Sequence, residues 1–197
     1  VQAQFSHAFG ADGAGNIGYN LALTGSNVAS GLYAVDPLAA NGQGTQIVLN
    51  QVGNVITGSA NGVSYFTLTI DPATGAVTLN LLDNVWHGNT GSHDDSVSLT
   101  LNSGVLTLVQ TVTDADGDNA KASIDLGTGG VFRFEDDGPT AGLATQAPSL
   151  GSVKVDESLP ALGGVGGDGI VSATLAAATV QAQFSHAFGA DGAGNIG

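Results

Sequence analysis

The stretch VSYFTLTIDPATGAVTLNLL, residues 63–82, decides the fold. In its first eight residues Val63, Tyr65, Thr67 and Thr69 fall on one face, and Ser64, Phe66, Leu68 and Ile70 on the other. Period two marks a strand, because successive side chains of an extended chain point to opposite faces. Asp71-Pro72-Ala73-Thr74-Gly75 interrupts the pattern with turn-forming residues, and alternation resumes in AVTLNLL, residues 76–82. Two alternating runs joined by a short turn make an antiparallel hairpin.

The same grammar extends outward in both directions. TQIVLN and VITGS flank the turn Val52-Gly53-Asn54, while SVSLTL and VLTLVQTV (96–101 and 105–112) flank Asn102-Ser103-Gly104. VQAQFSHAF, residues 1–9, places Val1, Ala3, Phe5, His7 and Phe9 on one face, so Phe5 and Phe9 are expected in the core. Helix signals are sparse. SATLAAATVQAQFSH (172–186) holds helix-friendly alanines, but its tail alternates and reads as a strand. Roughly ten short strands joined by hairpins call for facing antiparallel sheets. The expected fold is all-β: an Ig-like antiparallel β-sandwich, elaborated with extra hairpins.

The chain also repeats itself. Residues 1–18, VQAQFSHAFGADGAGNIG, recur letter for letter as residues 180–197, an offset of 179 residues. Eighteen identities in a row do not arise by convergence. The sequence reads as a window, one period plus an overlap, on an array of near-identical units. Each unit is long enough to hold its own core. DDGPTAGLATQAPSLGS, residues 136–152, has two prolines, small residues and no alternation, which marks a linker. The expected organisation is a sandwich module over 1–138, a linker over 139–152, and the truncated opening of the next repeat over 153–197, with VKVDES as its first strand.

Composition narrows the function classes. Seventeen acidic residues face three basic ones, giving a formal charge of −14. That balance argues against nucleic acid and anionic membrane surfaces, and suits divalent cations. Fifteen of the acids are Asp, the residue of turns and short metal loops. Cysteine is absent, which excludes disulfides, thiolate metal sites and a Cys nucleophile. Hydrophobic residues make up 42%, too many for a disordered acidic tail. There is no Ser/His nucleophile arrangement, no GxSxG and no phosphate loop before a helix, so the chain is not expected to be an enzyme.

The densest polar motif is TDADGDNA, where Asp114, Asp116 and Asp118 sit at i, i+2, i+4 and Gly117 lets the backbone bend. On a strand running into a turn, this spacing puts three carboxylates on one side. They repel unless a cation joins them, and calcium takes about 6–8 oxygens of this kind; the plain alternative is a solvated turn. A second cluster, Glu135, Asp136 and Asp137, ends the strand VFRF. A third, Asp156 and Glu157, lies across the linker. Acids on both sides of a hinge fit either an ion bridging two modules or an ordinary charged linker.

Two further motifs compete. GGVGGDGIV, residues 163–171, matches the calcium-binding nonapeptide, but that motif works in stacked runs. A single copy reads as a Gly-rich loop, with Asp168 as a spare ligand. NVWHGNTGSHDD brings His87, His93, Asp94 and Asp95 near one another in sequence, a loose set for zinc or copper. Its Trp86 is either a core plug or a sugar platform.

Taken in order, TLVQTVTDADGDNAKASIDLG, then GGVFRFEDDGPTA, then VDESLPALGG resembles the tandem extender repeats of giant RTX adhesins. These are type I-secreted surface adhesins of Gram-negative bacteria. The resemblance implies Ig-like sandwich repeats with calcium at or near the joints. By motif position it assigns calcium to Asp114, Asp116, Asp118, Glu135, Asp136, Asp137, Asp156 and Glu157. A period of 179 residues is long for such a sandwich, which is near 100 residues.

The function expected on these grounds is a calcium-stabilised spacer, exposed on the bacterial cell surface, that projects an adhesive tip in adhesion and biofilm formation. Its partners would be adjacent copies of the same repeat in one chain, without nucleic acid or direct membrane contact. Strand exchange between truncated fragments is a further expectation. The rival is a calcium-dependent carbohydrate-binding module built on Trp86, His87, Asp94 and Asp95.

Overall fold

The computed structural model describes residues 2–92, 94–155, 172–189, 192–194 and 196. It divides into two compact units, Val1–Asp137 and Gly138–Gly197. Nearly all regular structure is antiparallel β, so the all-β sandwich expected from the alternation is what forms.

The first unit contains β1 (Ala14–Leu23), β2 (Val28–Val35), β3 (Gln43–Val52), β4 (Val55–Ala60), β5 (Val63–Ile70), β6 (Val77–Leu81), β7 (Ser96–Ser98), β8 (Leu106–Asp114), β9 (Asn119–Asp125) and β10 (Arg133–Glu135). β2-β3-β4-β5-β6 form a five-stranded meander in sequence order. The turn between β4 and β5 is Asn61-Gly62, both at positive φ (50° and 81°). That pair favours the mirror-image turn whose twist matches the strands it joins. β1-β8-β9 form a second sheet, and β7 pairs with β10.

One hydrophobic cluster joins these sheets. Ile47, Leu49, Ile56, Phe66 and Leu68 come from the meander, Tyr19, Leu21, Leu106 and Leu108 from the three-stranded sheet. β8 shows how alternation places them: Leu106, Leu108 and Gln110 are buried, with half-buried residues between. The Gln110 amide donates to the Tyr19 hydroxyl (3.0 Å), so its polar end is satisfied inside the core. β5 departs from strict alternation. Tyr65 and Phe66 are both buried, because Tyr65 is the extra residue of a bulge opposite Gly58 and Ser59.

Asp125, at the end of β9, ties the loops at one end of this sheet. Its carboxylate accepts N–H groups from Gly104 (2.6 Å), Gly127 (2.8 Å) and Thr128 (3.1 Å). These bonds, that from Gly104 foremost, stabilise the charged form and lower its pKa to about 2. A depressed carboxylate pKa stabilises the fold above the unfolded value, near 3.9, and that contribution is lost as pH falls through about 2. Asp125→Asn is therefore expected to flatten the stability profile across that acid window and leave its shape above pH ~5 unchanged, as urea titrations at stepped pH would show.

Among its described residues the second unit contains β11 (Thr140–Leu143), the five-residue α1 (Ala177–Gln181) and β12 (Phe184–Ala187). β11 and β12 form an antiparallel ribbon, Thr140 opposite Ala187 and Leu143 opposite Phe184. None of the described residues of this unit is buried.

Within the segment expected as a linker, 139–152, Thr140–Leu143 form β11. Two local expectations are corrected. The alternating tail expected as a strand is one only over Phe184–Ala187, β12, because Val180 and Gln181 end the helix Ala177–Gln181. Residues 2–9 form no strand: Gln2–Gln4 make a 3-10 turn, and residues 5–9 have no regular structure. Alternation gives a segment the capacity for a strand, but a ladder also needs a partner edge. Phe5 and Phe9 are accordingly half-buried, with the Phe5 ring 6.0 Å from Tyr19. Among the described residues, no helix is long and apolar enough to cross a membrane.

Candidate metal centre

Asp114 is the last residue of β8, and Ala14, the first of β1, lies opposite it. The turn leading into β1 and the turn leaving β8 therefore share one end of the sheet. Asp12 sits in the first turn and Asp116 in the second. Carboxylate oxygens of Asp12, Asp114 and Asp116 all lie within 4.8 Å of one another. Asp114 is half-buried; Asp12 and Asp116 are exposed.

Backbone contacts hold the arrangement. Asp114 N–H donates to Asp118 O (3.0 Å), and Ala115 N–H to Gly13 O (3.3 Å). Asp114 Oδ1 accepts from Gly117 N–H (3.2 Å), and Asp116 Oδ1 from Asp118 N–H (3.4 Å). Gly15 is the extra residue of a bulge between Ala14 and Asn16. A Cβ there would run into the carbonyl oxygens of Thr113 and Asp114, so only glycine admits this approach.

Asp116 is held below the ordinary carboxylate range, first by its pairing with the Asp114 carboxyl group and then by the Asp118 N–H. Three ionised carboxyl groups this close repel one another, which solvent, a shared proton or a cation relieves. Among the described residues no Lys or Arg makes an ion pair with a carboxylate; the one pair within 4 Å is His87 with Asp95. Two oxygens on one calcium are separated by at most twice a bond of about 2.3–2.6 Å. Oxygens lying within 4.8 Å of one another are compatible with that reach, and the donors are the hard oxygens calcium takes. Asp12, Asp114 and Asp116 thus fit such an ion.

The expected residues distribute as follows. Asp114 and Asp116 come together; Asp118 contributes its backbone to the turn, and its side chain is outside the group. It lines, with Ala8, Phe9, Asp114 and Asn119, a cleft of about 250 Å³. Glu135 is exposed on β10 opposite Ser96, and Asp136 donates its N–H to Asp95 O (2.9 Å). Asp137 is exposed, its N–H bonded to Asp136 Oδ1 (2.9 Å). Among the described residues these three join no group of metal-ligating side chains. Asp156, Glu157, Asp168 and His93 lie outside the described residues. Asp12 was missed by sequence reasoning. Its only local signal is an Asp between glycines in FGADGAG.

The second candidate group is partly assembled. His87 Nδ1 and Asp95 Oδ1 lie 3.7 Å apart, both buried and without a hydrogen-bond partner. Asp94 is exposed. The described residues supply two ligands there, short of the four a structural zinc site takes. Trp86 is half-buried: its ring packs edge-on to Tyr33 (6.2 Å, 86°), and its indole N–H donates to Asn41 O (2.9 Å).

No curated protein and no solved structure matches the chain. The sequence model of a family described as a domain of unknown function, DUF5801, matches residues 1–127. That span holds β1 to β9 and all three clustered aspartates. The chain belongs to the DUF5801 family.

Proposed function

We propose that this chain is a calcium-stabilised spacer repeat of a secreted bacterial surface adhesin of the RTX kind. The observation that carries the reading is the meeting of Asp12, Asp114 and Asp116 at one end of β1 and β8. Binding there favours the folded state, because the site requires the β1–β8 ladder and is lost on unfolding. A formal charge of −14 and an exact internal repeat support the same reading, as does the order of the DADGD, FEDDGP and VDES motifs. The spacer stiffens where calcium is plentiful and stays loose where it is scarce, which suits export before folding.

Thermal melting of the whole chain in excess chelator and in excess calcium tests this. At a free calcium concentration about 100 times Kd, the stabilisation is about 2.7 kcal/mol. Asp114→Asn is expected to remove most of that shift, while Asp36→Asn, outside the cluster, retains it. A melting curve unmoved by calcium or chelator sinks the proposal.

A further inference from the structure

The sequence FSHA occurs twice. As Phe184–Ala187 it forms β12 and pairs with β11; as Phe5–Ala8 it has no regular structure. Among the described residues, Phe5–Ala8 make no backbone hydrogen bond outside regular elements. Whatever β11 recognises in 184–187 is present at 5–8, side chain for side chain. The flanks match as well, since both copies belong to identical eighteen-residue stretches. Even the local ring contact recurs: His7–Phe9 at 5.6 Å and 73°, His186–Phe188 at 5.3 Å and 77°.

The ribbon that β11 now occupies is poor. A two-stranded ribbon is marginal alone, and its open edge is a template for further pairing. Leu143 and Phe184, directly opposite each other, are 75% and 57% exposed. The 5–8 copy offers more, because Phe5 already packs on Tyr19 of the core.

We propose that β11 of one copy of this chain pairs with Phe5–Ala8 of a second copy, in the register of the β11–β12 ribbon. Thr140 then lies opposite Ala8, Ala141 opposite His7, Gly142 opposite Ser6 and Leu143 opposite Phe5. The contact is heterologous: each copy offers β11 at one place and 5–8 at another. It therefore joins copies head to tail, closing into a ring or continuing as an open chain as the rotation between copies dictates. Pairing within the chain competes at an effective concentration on the order of millimolar, so association between copies grows as protein concentration approaches that range. The proposal stands on sequence identity and register.

Cross-linking reads the register directly, since the chain has no native cysteine. Ala144 N–H donates to Gln183 O (2.9 Å), which makes Ala141 and His186 a non-hydrogen-bonded pair. Such pairs have Cα atoms about 4.5 Å apart, within disulfide range. His7→Cys/Ala141→Cys, oxidised at high concentration, is expected to give a ladder of disulfide-linked dimers and trimers that collapses on reduction. Ser6→Cys/Ala141→Cys places its thiols on opposite faces and is expected to stay monomeric. Ser185→Pro removes the ladder N–H of the competing β12, and in the first variant is expected to raise the linked fraction several-fold. A monomeric internal disulfide, free thiols, or equal linking by the Ser6 variant each overturn the proposal.

Discussion

Replacing Phe66 with alanine is expected to cost the first unit about 3–5 kcal/mol. Phe66 is fully buried at the centre of β5. Its ring lies 4.9 Å from Phe134 at 54°, a tilted aromatic pair, and it covers Gly58 on the neighbouring strand. Truncation removes contacts with β4 and with Phe134 together, and leaves a cavity that neither glycine nor a tethered ring can refill. Domains of this size are stable by roughly 5–15 kcal/mol, so the loss takes a large share of the total. The melting temperature should fall by roughly 10–20 °C. The single tryptophan, Trp86, provides the fluorescence signal for denaturant titrations. Phe66→Leu, which keeps most of the volume, is expected to cost about half as much. A Phe66→Ala chain within 1 kcal/mol of the parent would show that the sheets do not pack through this ring.

Gly15→Ala should have the next largest effect, although it adds one methyl group. The new Cβ lands on the carbonyl oxygens of Thr113 and Asp114. Both belong to β8, the central strand of its sheet, and backbone atoms cannot swing aside as a side chain can. β1 must lift from β8 at the bulge, at a cost of about 3 kcal/mol. The lift also separates Asp12 from Asp114, so the calcium response should shrink with the stability. Gly18→Ala is the matched control: the same strand, but open space around the added atom. It should stay within about 0.5 kcal/mol of the parent and keep its full calcium response. Equal effects at the two glycines would argue against the bulge as the element that positions the aspartates.

These two variants mark where the sequence could be read and where it could not. Residues 63–82 declare a hairpin because alternation and turn chemistry are local properties. The bulge that buries both Tyr65 and Phe66 is invisible there, since it depends on how β4 counts against β5. The acid site divides the same way. Asp114 and Asp116 were legible as DADGD, a five-residue motif. Asp12 reaches them only through the β1–β8 register, which no local pattern encodes. The repeated eighteen residues separate the two influences most cleanly. Their alternation is identical in both copies, yet one FSHA is a strand and the other is not, because only one has found an edge.

The contrast between the two sheets of the first unit also sets an order of assembly. Every link of the five-stranded meander joins neighbours in sequence, so each ladder closes a short loop at small entropic cost. In the other sheet β8 and β9 form a local hairpin, but β1 must find β8 across the whole meander, Leu23 opposite Leu106 at the nearest. Contacts of such separation form slowly and late. The chain can thus complete β2 to β6 while β1 still waits for β8. The three aspartates meet only when that last ladder closes, so the cation proposed to lie between them would act as a latch on the final step and leave the earlier ones free to proceed without it.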